Sequence, residues 1–473
     1  MAKVVILGAG FSGQTAALYL RKELGREHDV IVVNPWPRFT YIPSLVWVGI
    51  GRMDPDQTMF YLEPIYKRKG IHFVQAWARE IHPDEQYVLI ENKDGKKEKI
   101  EYDYLINATG PHLNFAGTEG LGPDHETTQS ICNIHHAKLA RDAYLETVHR
   151  MEKGDTVTIL VGTGHGTSTC QGAALEYISN IHADLVRRKL RHRAKIMWIS
   201  NEPKLGDLGV GGVFAKKYGY VMSSESFLKS LFSEQEIYYQ VQSAVQKVDK
   251  KCVYWENYEG EQGEIQYDFS MLIPQFQGTK INYIDKDNND ITGKMTNPGG
   301  FMLVDGGYGK KWEDVRASDW PATYQSPFYK NIFAAGIAFA TPGSISKPFI
   351  NKNGTNITAT APRTGMASGI IGRVVAHNII DMIRGNEPSH KEAMTEMPGA
   401  CIASIGKSVW NGSAASIILY PVAPDYERYP DYGRDLKANY LDIGLSGAWI
   451  KRLLHTAFIY KMQGNPGWSM IPE

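Results

Sequence analysis

The feature that most limits what this chain can fold into is a strand running straight into a glycine-spaced turn and a helix at its N-terminus. The segments VVILGAG, FSGQTAALYLRKEL and DVIVVN, ending at Asn34, read as strand, turn, helix and strand, a βαβ unit. Gly8, Gly10 and Gly13 keep GxGxxG spacing, which permits the tight turn, the approach of a pyrophosphate to the backbone, and close packing of helix on strand. The helix N-terminus, carrying Phe11 and Ser12, then faces the phosphates. One position departs from the pattern: Asn34 stands where an acidic residue would hold the ribose.

A second apolar run, VTILVG, leads into the turn GTGHGTSTC, the helical stretch GAALEYISNIHADLVRRKL and the strand KIMWIS. This turn lacks GxGxxG spacing, and the next strand ends in Ser200 and Asn201 without a ribose carboxylate, so nicotinamide binding is not expected. The two units predict an α/β chain with two Rossmann-like dinucleotide-binding domains of the glutathione-reductase type and a C-terminal segment. The expected boundaries are 1–115 with 300–385 for the first domain, 116–299 for the second and 386–473 for the C-terminal membrane and quinone segment. A chain of 473 residues, 43% of them apolar, has length for two or three domains. Residues 282–330, rich in Asn, Asp, Gly and Lys, read as surface loops, and a helix is expected from Thr364 to about Ile383.

In YDYLINATGPHL, Ala108, Thr109 and Gly110 follow a strand and resemble the second flavin-contacting motif of the glutathione-reductase-like flavoproteins, which points to FAD. FAAGIA, with Gly336 and Ile337, resembles the third such motif, Ile337 replacing the usual Asp. Pro43, Ala78 and Gly365 are further expected cofactor contacts.

Lysine plus arginine equals aspartate plus glutamate at 51 each, so no basic excess points to nucleic acid, and no nucleic-acid partner is expected. The N-terminus enters a strand at once, leaving no room for a secretory signal, and the expected compartment is the cytoplasm. No stretch approaches the roughly 20 uninterrupted apolar residues of a membrane-spanning helix, so membrane contact is expected to be peripheral. Cys132, Cys170, Cys252 and Cys401 lie far apart without CxxC pairing, which suits neither a zinc site nor a disulfide scaffold, and no metal is expected. Cys170 stands early in the second unit's helix, where the dipole favours a thiolate.

VVILGAGFSG with YIPSLVWVGIG, QSIC at Cys132, TSTCQGAALEY at Cys170 and GACIASIG at Cys401 follow one another as they do in a known family. By these stretches the chain resembles the sulfide:quinone oxidoreductases across nearly its whole length. The resemblance implies an FAD enzyme that oxidises hydrogen sulfide to polysulfide sulfur and reduces membrane quinone, peripheral to the membrane and allowing a homo-oligomer. It implies that Cys170 and Cys401 hold a sulfur bridge near the flavin and that Cys132 assists with product. A sulfur anion opens such a bridge and the electron pair passes to the flavin. Cys252, in VDKKCVYW, falls outside every family stretch and reads as structural.

His136, four residues after Cys132, and Glu176, six after Cys170, are the acid and base candidates, and Asp207 stands where the family has a histidine. Lys451 matches the family's lysine at flavin and quinone, and Leu454, Phe458 and Trp468 are the other expected quinone contacts. In LSGAWIKRLLHTAFIYKM, Trp449, Leu453, Ala457 and Tyr460 recur at helical spacing, with Lys451, Arg452, His455 and Lys461 interspersed. Such a stripe suits a membrane surface or the protein's own core equally well. With Glu473 soon after Trp468, the family's second C-terminal amphipathic helix has no counterpart, and weaker membrane attachment is expected. Two other readings stay open: the flavin subunit of a sulfide dehydrogenase donating to a cytochrome, and a non-catalytic flavoprotein that binds sulfane sulfur. A type-II NADH:quinone dehydrogenase would need the intact second glycine motif that is missing.

Overall fold

The computed structural model describes residues 1–362, 364–406, 410 and 412–473. Its first sheet is parallel throughout, in the order Ile332–Ala334, Tyr104–Asn107, Lys3–Leu7, Asp29–Val33, His72–Val74. Val4 to Leu7 are buried on both faces, which is why the central strand reads as an unbroken apolar run. The helices Phe11–Leu24 and Gly365–Ile383 pack on each other. The second of these, 19 residues long and interrupted by Arg373 and Asp381, is the one helix among the described residues that is long and apolar enough to cross a membrane by length and composition. Since 67% of its apolar window is buried within the protein, it serves as a core helix.

The second sheet is also parallel, ordered Ile237–Gln240, Ala194–Ile199, Val157–Thr163, Phe269–Ile273, with the helix Gln171–Arg187 packed on it. Strands Pro111–Asn114 and Gln275–Gly278 run antiparallel as a two-stranded ribbon, one leading into the second unit and one leading out. Beyond it the structure departs from expectation. Asn282 and Tyr283 already pair with the Trp77–His82 strand of the first unit, and Lys286 N donates to Asp84, so the chain is back in that unit before residue 299. The segment 282–330 is not all surface loop either, because Met295, Met302, Trp320 and Tyr324 are buried in the core. Loop-like composition hid these anchors, which are too widely spaced to show a period.

The C-terminal segment forms an antiparallel meander, Gly399–Ile405, Ser413–Leu419, Tyr440–Gly444, followed by the helix Leu445–Met462. Its first strand packs against both that helix and Gln171–Arg187.

Glu202, at the end of the second sheet, is fully buried, accepting from Ser200 Oγ at 2.6 Å and from Leu208 N at 2.8 Å. Burial, aided by the Asp207 charge, raises its carboxyl to about 7. A carboxyl raised in the folded state binds its proton more tightly there than in the unfolded chain. Its contribution is therefore whole below the ordinary carboxylate value of about 4.5 and fades as pH rises through about 7. Glu202→Gln, which keeps the shape and cannot ionise, should flatten the fall in thermal unfolding temperature across that window; an unchanged slope would mean Glu202 is not its source.

Candidate active site

The N-terminal glycine turn is shaped by steric need. Gly8 has φ +101°, and a β-carbon there would stand 2.3 Å from the Ala108 carbonyl oxygen. Asn34, in place of a ribose carboxylate, braces this turn: its Oδ1 accepts from Ala9 N at 3.1 Å and its Nδ2 donates to the Trp36 carbonyl at 2.6 Å. Gly10 caps the helix Phe11–Leu24 without a side-chain hydrogen bond, and the space over it is open to 4 Å. Its first amide groups are thus presented to an anion.

Around this turn, Ser12 Oγ donates to the Ser368 carbonyl at 2.8 Å, and Gly336 lies directly on Ser12. Ile337 sits in the short turn Gly336–Ala338, and Gly365 rests on the Phe11 ring. Thr109 N and Oγ1 donate to Asn107 Oδ1 at 3.3 and 2.8 Å, ordering the bend into Gly110. Pro43 lies in the turn Ile42–Ser44 and Ala78 in the strand Trp77–His82. An uncapped helix N-terminus behind a glycine turn, with apolar surface at Phe11, is a donor set that fits FAD.

The second glycine turn is taken up by the chain itself. Thr358 N donates to the Gly166 carbonyl at 2.8 Å, and Asn201 Nδ2 donates to the carbonyls of Gly166, Ser168 and Thr358 at 3.0, 3.0 and 3.2 Å. A segment far along the sequence therefore covers the place where a second dinucleotide would lie.

Cys170, expected early within the helix Gln171–Arg187, is instead its N-terminal cap and adopts the left-handed conformation at φ 64°. That backbone is uncommon for a non-glycine residue and turns the chain sharply into the helix. Cys401 comes to the same place from the strand Gly399–Ile405: a β-carbon on Gly172 would stand 2.7 Å from its sulfur. Cys170 lies within electrostatic reach of both Cys132 and Cys401, which come from separate segments of the chain. No disulfide joins them among the described residues. Burial pushes the Cys132 and Cys401 thiols up to about 12; for Cys401 Glu176 adds to this and Lys451 opposes it. Cys252 lies apart, buried in the strand Cys252–Asn257.

Beside Cys401 is an ion pair. Lys451 Nζ donates to Glu176 Oε2 at 2.8 Å, with both side chains only 7% exposed. Ser404 gives its hydroxyl at 2.6 Å and its amide at 3.2 Å to Glu176 Oε1. The Ser404 oxygen in turn accepts from Trp47 Nε1 at 3.0 Å and from Asn180 Nδ2 at 2.9 Å. Above the pair, Phe11, Tyr41 and Phe458 form an aromatic group with centroids 5.7 to 6.4 Å apart, and His455 shares a 2.8 Å hydrogen bond with Ser44. Leu454 is half-buried on the helix that carries Phe458.

The C-terminal helix answers both readings of its stripe. Lys451 and Phe458 face inward, while Trp449 and Leu453 are 54% and 65% exposed. Lys461 corrects the expectation of a surface cation: it is buried and paired with Glu473 at 2.7 Å. Trp468 corrects another, for it is buried edge-on against Tyr19 at 4.8 Å, two turns along the first helix from Phe11 and away from the aromatic group. His136 packs edge-on against Phe115 at 5.4 Å; its charged neighbours are Asp124 and His135, and burial lowers its pKa. Asp207 is buried, accepts from Ser346 Oγ and from Gly209 N, and has its pKa raised by desolvation. Tyr41, Trp47 and Ser404 escaped the reading of single residues, although all three lie within stretches marked as motifs, YIPSLVWVGIG and GACIASIG.

A family model for pyridine nucleotide-disulphide oxidoreductases matches residues 2–174. The chain is 30% identical over 431 residues to a sulfide-quinone reductase of Aquifex aeolicus, covering 90% of this chain and 86% of that protein. It is 24% identical to a mitochondrial sulfide:quinone oxidoreductase of Dictyostelium discoideum, over 80% of this chain and 71% of that one. The crystal structure of the sulfide:quinone oxidoreductase from Aquifex aeolicus superposes with a TM-score of 0.78 at 27% identity, covering 99% of this chain and 94% of that chain.

The ion pair makes a stability prediction. Lys451→Met leaves the Glu176 carboxylate buried without its cation, which should cost about 3–5 kcal/mol and lower the unfolding temperature of the FAD-loaded protein. The double variant Glu176→Gln/Lys451→Met should recover most of that loss, and equal unfolding of single and double variants would show that no buried charge was stranded.

Proposed function

The chain belongs to the sulfide-quinone reductase family, and from that premise we propose that it oxidises sulfide to polysulfide sulfur through its cysteines and FAD and reduces quinone. The observation that carries this reading is the close approach of Cys401 to the helix headed by Cys170, beside the buried Glu176–Lys451 pair. FAD, when bound, supplies the two-electron acceptor between sulfur and quinone. Hydrosulfide, quinone and one proton yield quinol and one zero-valent sulfur atom kept on the growing chain.

The chain's own residues have the following parts. Cys170 and Cys401 hold the sulfur bridge, and Cys132 assists with the sulfur product. Thiols raised as far as Cys132 and Cys401 stay protonated at neutral pH, so a proton must be taken when either reacts as a sulfur anion. Glu176 Oε2 is placed to hold that proton, and Ser404 keeps the carboxylate oriented while it does so. Lys451 Nζ, joined to the same carboxylate, delivers protons toward the quinone oxygens. The aromatic group of Phe11, Tyr41 and Phe458, with Leu454 on the helix that carries Phe458, suits the quinone ring. Exposed Trp449, Ile450 and Leu453 support a seat on a membrane surface, where quinone dissolves.

Anaerobic titration with sulfide, read by flavin absorbance, followed by a short-chain quinone, tests the reading. Sulfide should bleach the flavin and quinone restore it, whereas NADH should leave it oxidised. Cys170→Ser and Cys401→Ser should abolish bleaching, and Glu176→Gln should slow it by about a hundredfold, the usual worth of a placed acid or base. Bleaching by NADH and not by sulfide would overturn the proposal, and sulfide bleaching without recovery by quinone would assign the electrons to a protein acceptor such as a cytochrome.

A further inference from the structure

Asn180, whose amide nitrogen reaches Ser404, also lines a cavity of about 740 Å³ on the flank of the C-terminal helix. Ile50, Val186 and Ile405 form an apolar part of its wall; Arg52, Arg187 and Arg452 bring cations to it. Within that wall the carboxylate is Asp184, buried, which pairs with Arg52 and, at 3.2 Å, with Arg187. Asp184 is also held by Arg188 at 2.6 Å, so its single charge is already shared. His182 adds no cation at neutral pH, since burial lowers its pKa to about 4. Three guanidinium groups against one shared carboxylate leave the cavity positive.

A second, independent feature points to a ligand. Asn180 is fully buried, and while its nitrogen makes three hydrogen bonds, its Oδ1 has no partner. The wall of this cationic cavity thus contains an unsatisfied acceptor beside its cations. The cavity is also continuous with apolar surface. Arg452 precedes Leu453, 65% exposed, and follows Trp449, 54% exposed, by less than a turn.

We propose that this cavity binds the phosphate-bearing headgroup of an anionic phospholipid. The phosphodiester sits on Arg187 and Arg452, and the acyl chains lie along Trp449 and Leu453. Guanidinium suits this role because its planar fork matches phosphate geometry and it sheds water more easily than an ammonium. A bound headgroup would set the depth and rotation of the C-terminal helix, whose opposite face carries Lys451 and Phe458. The inference rests on the membrane seat proposed above, yet it is narrower, because it requires one lipid class and two named arginines.

The test is sedimentation of the FAD-loaded protein with vesicles of phosphatidylcholine alone or containing phosphatidylglycerol. Each arginine near a charged surface contributes about 1 kcal/mol, or about fivefold in affinity, so Arg187→Gln/Arg452→Gln should bind phosphatidylglycerol vesicles roughly twenty- to thirtyfold more weakly. Its binding to pure phosphatidylcholine should be unchanged. A control, Lys96→Gln/Lys250→Gln, removes two exposed charges elsewhere and should bind like the parent protein. Equal binding of parent and double variant to phosphatidylglycerol, or equal weakening by the control, would overturn the site. Displacement by inorganic phosphate as effective as by lipid phosphate would make it a free-anion site and overturn the lipid assignment. Sulfide bleaching of the flavin, measured on the same samples, reports separately on the proposed activity.

Discussion

The arrangement of the site depends on one buried ion pair. Glu176 comes from the second dinucleotide-type unit, Lys451 from the C-terminal helix, and Ser404, which donates to the carboxylate, from the C-terminal meander. Two charges so deeply buried are tolerable only with their hydrogen bonds satisfied, and the Ser404 hydroxyl and amide supply those on the carboxylate. Trp47 and Asn180 then converge on the same serine oxygen, so a segment of the first unit is tied in as well. The pair therefore sets where the meander strand lies, and with it where Cys401 meets the helix that begins at Cys170.

That meeting is close because Gly172 has no side chain to hold the strand away. The sulfurs sit in an enclosed place that keeps Cys132 and Cys401 protonated. The Glu176 carboxylate lies beside Cys401, and Lys451 balances its charge while it is ionised. The two glycine turns have separate fates for a physical reason. The first leaves its helix N-terminus uncapped and open, whereas the second is covered by the segment around Thr358 and closed by the three hydrogen bonds of the Asn201 amide.

The parts that were legible in the sequence are those in which local chemistry carries the information. GxGxxG after an apolar run, the helices at 171–187, 365–383 and 445–462, and the cysteine-bearing stretches all show themselves within a dozen residues. Trp468 and Lys461 show the limit of that reading. Lys461 reads as a surface cation of the helical stripe and Trp468 as a quinone contact, yet Trp468 is buried against Tyr19 and Lys461 is paired with Glu473. Their partners are distant or beyond the helix, and no pattern within the helix announces them. The boundary near residue 299 failed for a related cause, since two residues of strand pairing at Asn282 and Tyr283 are too short to leave a period.

By itself the sequence determined the α/β class, the flavin-type turn, the degenerate second turn and the set of sulfur-bearing residues, because turn geometry and amphipathic periods are local properties of the chain. Only the tertiary structure decided which residues meet: that Glu176 and Lys451 are one ion pair, that Ser404, Trp47 and Asn180 hold it, and that His136 faces Phe115. Burial and charge pairing depend on contacts between segments hundreds of residues apart, and those contacts exist only once the two sheets, the meander and the C-terminal helix have closed on one another.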